Sequence, residues 1–344
     1  MIKTHKLSTF PIKHDATGPD FPEIKRPSAK EVESVKGYQR MDTHFMSKGV
    51  RCAAWLYLPD HEKNPPVVIM AHGLGGERKF RLDAYAERFV QRKMACFVFD
   101  YRGFGDSEGE PRQNINPYRH LEDWDAAIAH VRNLEAVDTG RIALWGTSFS
   151  AGHVIVMAAR NKDIRAIVGQ VPFVDGVSSS MNYSLFYSLR AFFHGMMDLA
   201  FCTFSLGKIR HRVKYATEPG TFGVLNTPDA LSGVKKLLPK DISWEQADFK
   251  CPASIFITLP TYRPIRYAKK VRCPALIIYS ESDSLIPASA VRKAISKMPN
   301  GKGLPLPLHV GHFDPYVGKE FESVSAVQAD FFESCFGMIS DDSD

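Results

Sequence analysis

At 344 residues, with 44% hydrophobic and 24% charged residues, the chain is long enough for one large α/β domain with insertions or for two ordinary domains. No stretch approaches the roughly 20 apolar residues that cross a bilayer, and the polar start, Met1-Ile2-Lys3-Thr4-His5-Lys6, lacks the apolar centre of a signal peptide, so no membrane span and a cytoplasmic location are expected. The net charge of +6 is modest, and the densest basic run, Lys208 to Lys214, has no accompanying motif or interleaved aromatics, so nucleic acid is not expected as a partner.

Residues 1–36 mix Pro11, Pro19, Pro22 and Pro27 with charges and show no period, so they read as an arm over the domain or a segment partly without fixed structure. Tyr38 to Phe45 and Val50 to Leu58 read as a hairpin around Ser47-Lys48-Gly49. Val67 to Ala71 is a continuous apolar run, as expected of a strand buried on both faces of a parallel sheet, and it ends in His72-Gly73-Leu74-Gly75-Gly76. A helix over about Phe80 to Lys93 and a buried strand at Ala95 to Phe99 complete a βαβ unit. The loop Asp100 to Gly109 holds three glycines but neither dinucleotide nor P-loop spacing, so it is expected to be a shaped loop at the carboxyl edge of the sheet. It leads to a helix with Leu121, Trp124, Ile128 and Val131.

Next comes Ile142-Ala143-Leu144-Trp145-Gly146-Thr147-Ser148-Phe149-Ser150-Ala151-Gly152, an apolar strand running through a small-residue turn into a helix that reaches about Arg160. Such a turn pushes its serine out of the backbone's shadow, which makes Ser148 the candidate nucleophile. Ser150 stands where G-x-S-x-G has its second glycine. A further buried strand is expected at Ile164 to Val171.

The βα rhythm then stops from Phe173 to about Lys270. Insertions of this length are usually functional. Its first half is crowded with Phe186, Tyr187, Phe192, Phe193, Met196, Met197, Phe201 and Phe204, expected to form the insertion's own core while leaving part of an apolar face over a cleft. An apolar acyl or aromatic group is therefore expected in the substrate. The rhythm resumes with a strand at Cys273 to Tyr279, a helix at Ala288 to Lys297, a last strand near Leu304 to Val310 ending at Gly311-His312, and a final helix through Phe321 to Phe332; the acidic tail Asp341 to Asp344 is expected to be loose. The domains read as an arm at 1–36, a core at 37–172 and 271–338, and a helical cap at 173–270.

In a parallel sheet the loops after the strands share one crevice. Ser148, Asp283 and His312 all fall on such loops, in the order Ser, Asp, His. A serine hydroxyl needs an imidazole to take its proton and a carboxylate to hold that imidazole's tautomer. His312 is assigned as the base and Asp283 as its orienter. His309 competes with the former but falls within the expected strand; Glu281 competes with the latter, and Asp314 reads as a turn carboxylate. The backbone N–H groups of Phe149 and Leu74 are the expected oxyanion donors. His72 reads as a backbone anchor and His153 as a packed or cap-facing side chain.

Together, His72-Gly73-Leu74-Gly75-Gly76, Asp100 to Ser107, Gly146-Thr147-Ser148-Phe149-Ser150, Glu281-Ser282-Asp283 with Pro287, and Gly311-His312-Phe313 resemble the landmarks of the α/β-hydrolase superfamily over about residues 40–336. The Gly-Thr-Ser-Phe-Ser turn and Tyr262-Arg263-Pro264 are similar to the branch of dienelactone hydrolases, X-prolyl peptidases, acyl esterases and fungal polyketide transferases. The resemblance implies a mostly parallel central sheet flanked by helices with an inserted helical lid. It also implies hydrolysis or transfer of an acyl group from a small-molecule ester or thioester, without cofactor. The six scattered cysteines suggest reduced thiols and no metal site, and homodimerisation is left open.

Overall fold

The computed structural model describes residues 37–181, 183–244 and 249–338; the expected arm and acidic tail lie outside the described residues. The chain begins with a hairpin, β1 (Tyr38–Ser47) and β2 (Val50–Pro59). Its two-residue turn, Lys48 and Gly49, has positive φ at both positions, the geometry whose twist matches that of paired strands. Then follow β3 (Pro66–Ala71), α1 (Leu82–Val90), β4 (Ala95–Phe99), α2 (Pro117–Val131), β5 (Asp138–Thr147), α3 (Phe149–Arg160) and β6 (Ala166–Gln170). An insertion carries α4 (Gly176–Ser180), α5 (Leu185–Phe204), β7 (Arg212–Lys214), α6 (Ala230–Leu237), β8 (Lys250–Pro252) and α7 (Ile255–Thr261). The core resumes with β9 (Ala275–Ser280), α8 (Ala288–Ile295), β10 (Gly301–Leu306) and α9 (Gly318–Phe336).

Eight strands form one sheet in the order β1-β2-β4-β3-β5-β6-β9-β10. The hairpin runs antiparallel and the six strands from β4 to β10 are parallel. Strands β3, β4, β6 and β9 are buried along their whole length, because helices cover both faces. Alternation along β4 separates the layers: the Cys96 thiol reaches the Ala86 carbonyl in α1, whereas Phe97 and Phe99 stack on His130 and Trp124 of α2. The strand order reverses at β3, which has β4 on one side and β5 on the other, so the loops after β3 and β5 flank the crevice where such sheets bind ligands.

Two boundaries depart from expectation for visible reasons. Helix α1 starts at Leu82 because Arg81 is left-handed, with φ of 70°. The last strand spans Gly301–Leu306 and ends four residues earlier than expected, since Pro307 has no N–H for the ladder and its carbonyl instead accepts a turn bond from Val310 N.

The larger correction concerns the aromatic stretch of the insertion. Its residues lie on α5, yet the buried face of that helix is Ala191, Gly195 and Asp198, while Phe186, Phe192, Phe193, Met196, Phe201 and Phe204 are exposed. Close approach decides this: a Cβ at Gly195 would sit 2.8 Å from Ile257 of α7, so only small residues fit inward and the bulk points outward. Asp198 is held from below by Arg210 and by the N–H groups of His211 and Ser254. No described helix is long and apolar enough to cross a membrane.

Candidate active site

Ser148 occupies the turn between β5 and α3 with φ 54° and ψ −114°, a region that costs a non-glycine residue about 1–3 kcal/mol. Hydrogen bonds on both sides hold it there: Ser148 N–H donates to Gln170 O at 2.8 Å, and Ser148 O accepts from Phe173 N at 2.9 Å. Gly146 makes the turn fit, because a Cβ there would lie 2.4 Å from Ser150 O. The serine at position 150 is accommodated by a partner: its hydroxyl lies 2.9 Å from Tyr101 Oη, which also accepts from Trp124 Nε1 at 3.0 Å. The departure from G-x-S-x-G thus buries a hydroxyl that is satisfied.

The loop after β9 brings Asp283, and the loop after β10 brings His312, to Ser148. His312 Nδ1 lies 2.7 Å from Asp283 Oδ2, and His312 Nε2 lies 3.0 Å from Ser148 Oγ. Asp283 Oδ1 accepts from the N–H groups of Leu285 and Ile286, at 2.8 and 2.9 Å. With both carboxylate oxygens accepting, Nδ1 carries the imidazole proton and Nε2 is left to accept from the serine hydroxyl. His312 and Asp283 are both buried.

Glu281, His309 and Asp314 make other contacts. Glu281 is paired with Arg292. His309 is 65% exposed and lies 3.8 Å from Glu320, in the turn after the strand rather than within it. Asp314 Oδ2 accepts from Gly311 N–H at 2.8 Å, a local turn contact. His72 is buried with Nδ1 3.0 Å from Gly73 O, and burial lowers its pKa. His153 is buried against Phe149, its Nδ1 2.7 Å from Tyr262 Oη, and burial pushes its pKa down to about 3. The loop bearing Leu74 lies directly on Ser148, since a Cβ at Gly73 would be 2.9 Å from Ser148 Cβ. Among the described residues no hydrogen bond within the chain occupies the N–H of Leu74 or of Phe149.

A cleft opens at Ser148 and His312. On the core side it is walled by Ile286 and Phe313, and on the insertion side by Phe173, Tyr183, Tyr215, Val224, Val234, Leu237 and Leu259. Among the described residues no Asp, Glu, Lys or Arg lines it. The insertion-side wall escaped the sequence reading, although Ala230, Val234 and Leu237 keep the stripe spacing of an amphipathic helix. That helix, α6, is seated on the loop that bears His312: a Cβ at Gly233 would meet the Phe313 ring at 2.1 Å. A buried polar string was also missed. Gln170 Oε1 accepts from Tyr85 Oη and Gln328 Nε2, both at 2.8 Å, Gln328 Oε1 accepts from Trp145 Nε1 at 2.7 Å, and Tyr316 Oη bonds Thr147 Oγ1. These contacts join β5 to the segment that follows His312. No sequence period marks them, because each is a single polar residue in an apolar run. No group of three or more potential metal ligands occurs among the described residues.

The model of the X-Pro dipeptidyl-peptidase (S15) family matches residues 48–215. The quorum-quenching protein AidA of Acinetobacter baumannii is 39% identical, over 85% of this chain and 94% of its own. A thiohydrolase of Eupenicillium brefeldianum is 24% identical over 86% of this chain and 94% of its own. The crystal structure of the α/β hydrolase GrgF from a Penicillium species superposes with a TM-score of 0.72 at 22% identity, over 87% of this chain and 99% of that one. A parallel sheet with its order reversed at β3, a serine at the strand-to-helix turn, and relatives matched over nearly their full length lead to one assignment: the chain belongs to the α/β-hydrolase superfamily.

Proposed function

We propose that this protein is a serine hydrolase that cleaves a carboxylic ester or thioester carrying an apolar acyl or aromatic group. Ser148 Oγ attacks the acyl carbon while His312 Nε2 takes its proton, Asp283 holds the imidazole, and the N–H groups of Leu74 and Phe149 receive the developing oxyanion. His312 returns the proton to the departing alkoxide or thiolate, and water, deprotonated by the same nitrogen, releases the acid and regenerates Ser148. Residues 173–270 serve as a cap whose inner wall holds the acyl group.

The observation that carries this reading is the Asp283-His312-Ser148 relay, at 2.7 and 3.0 Å, opening onto a cleft without a charged side chain. Peptidase action is disfavoured by the same lining, since a peptide's amino terminus calls for a carboxylate. That one relative is named a thiohydrolase supports including thioesters in the reading.

The test is a series of p-nitrophenyl esters and acyl thioesters of increasing acyl length, with wild type and Ser148→Ala. Activity should rise with acyl length, and the variant should lose about 10⁴–10⁶ in kcat. Full activity in Ser148→Ala would remove the mechanism, and a preference for acetyl alone would remove the apolar acyl site. Adding an acceptor alcohol separates hydrolysis from acyl transfer by the product formed.

A further inference from the structure

More than half of the large hydrophobic side chains that are exposed among the described residues lie on α5. Phe186, Phe192, Phe193 and Phe204 are 78, 57, 65 and 89% exposed, and Leu185, Leu189, Met196 and Leu199 stand beside them. An aromatic side chain can bury about 150–250 Å², so these four phenylalanines leave roughly 430–720 Å² open. The largest apolar patch on an ordinary monomer is about 300–600 Å² in total. With the leucines and methionine added, the face approaches the roughly 800 Å² per partner of a stable protein interface.

The pattern of the face selects its occupant. Phe186, Leu189, Phe193, Met196 and Ala200 recur at alternating spacings of three and four residues, the seam by which one helix packs against another. No formal charge lies on it. Arg190 is turned aside, its guanidinium 4.4 Å from the centre of the Phe222 ring, and Asp198 is buried on the opposite side with Arg210. A twofold axis sets a surface against its own copy and a residue on the axis against itself, so a charge there would meet its like and an uncharged apolar seam is suited to self-pairing. Helices that lie on lipid instead keep a Lys/Arg-rich polar face in water. The other face of α5, with Ala191 and Gly195, is fastened to the rest of the insertion.

We propose that α5 is a homodimer interface in which two copies of the chain pair their α5 helices antiparallel about a twofold axis near Phe193. Phe193 is the middle residue of the seam and meets its copy at the axis. The proposal does not depend on the hydrolase reading, because none of the seam residues lines the cleft.

Light scattering on the eluting full chain tests it. Wild type should have twice the chain mass, and Phe193→Glu should have the single-chain mass with unchanged far-ultraviolet dichroism and ester hydrolysis per chain. Under mild oxidation Phe193→Cys should give a covalent dimer well above the background set by the native cysteines. A monomeric wild type overturns the proposal. So does a dimer that survives Phe193→Glu and is not cross-linked through Cys at 193, since the interface then lies elsewhere. A monomeric wild type that sediments with phosphatidylcholine–phosphatidylglycerol vesicles, and loses that property in Phe193→Glu, would assign the face to lipid instead.

Discussion

Replacing Asp283 with asparagine exchanges one oxygen for an NH₂ group and, with it, moves the proton on the far side of an imidazole. Asp283 Oδ1 accepts from the N–H groups of Leu285 and Ile286, and Oδ2 accepts from His312 Nδ1–H. An amide has one acceptor oxygen. Setting it toward His312 would leave two backbone donors facing an NH₂ group, at about 1–3 kcal/mol each. The oxygen therefore stays with the backbone and the NH₂ faces Nδ1, which must then become the acceptor. The imidazole proton moves to Nε2, where it points at Ser148 Oγ and blocks deprotonation of the hydroxyl. The expected cost is about 10⁴ in kcat, close to 5.5 kcal/mol of transition-state stabilisation, with KM and thermal stability nearly unchanged because shape and burial are kept. Steady-state kinetics on a p-nitrophenyl ester, paired with the rate of fluorophosphonate labelling of Ser148, measures both. If Asp283→Asn kept kcat within tenfold of wild type while Glu281→Gln lost activity, the orienting carboxylate would be misassigned.

Val234→Trp fills the insertion-side wall of the cleft and should move the preferred acyl length downward, read as kcat/KM across the ester series; an unchanged profile would mean the acyl group lies elsewhere. Ser150→Ala strands the buried hydroxyl of Tyr101 without its acceptor and should cost about 1–3 kcal/mol in urea unfolding, whereas a neutral result would contradict the bond between the two hydroxyls. Folded His153 stays neutral down to about pH 3 against an ordinary value of 6.5. Between those values the unfolded chain binds the extra proton, so stability is complete above pH 6.5 and falls as the pH drops, by up to about 1.4 kcal/mol per pH unit from this residue. Burial lowers the pKa of His120 and His72 as well, adding in the same direction. A urea midpoint that holds steady between pH 7 and pH 5 would refute the neutral assignment.

What the sequence reveals depends on whether the physics is local. Strands β3, β5 and β9 carry unbroken apolar runs, and His72-Gly73 and Gly146-Thr147-Ser148 sit where the first two runs stop, whereas His312 follows β10 only after a further turn. The ends of β10 and α1 were harder, because one proline and one left-handed arginine decide them. For α5, composition revealed the apolar residues but not their direction. A helix apolar around most of its circumference has no preferred inward face by periodicity, and the deciding residues are the smallest, Ala191 and Gly195, where the chain approaches itself. The cleft wall from α6 and the Gln170-Gln328 string depend on pairs far apart in the chain.

The uncharged cleft lining also bears on how a catalytic cycle ends. Under the proposed reaction a neutral ester enters, and a carboxylic acid that ionises near neutral pH is left behind. Among the described residues no lysine or arginine lines the cleft to retain that new anion, so cleavage turns a ligand that suits an oily chamber into one better solvated outside it. Departure of the acid is favoured by its own charge, and the free acid should be a far weaker inhibitor than an uncharged alcohol or amide of the same chain length.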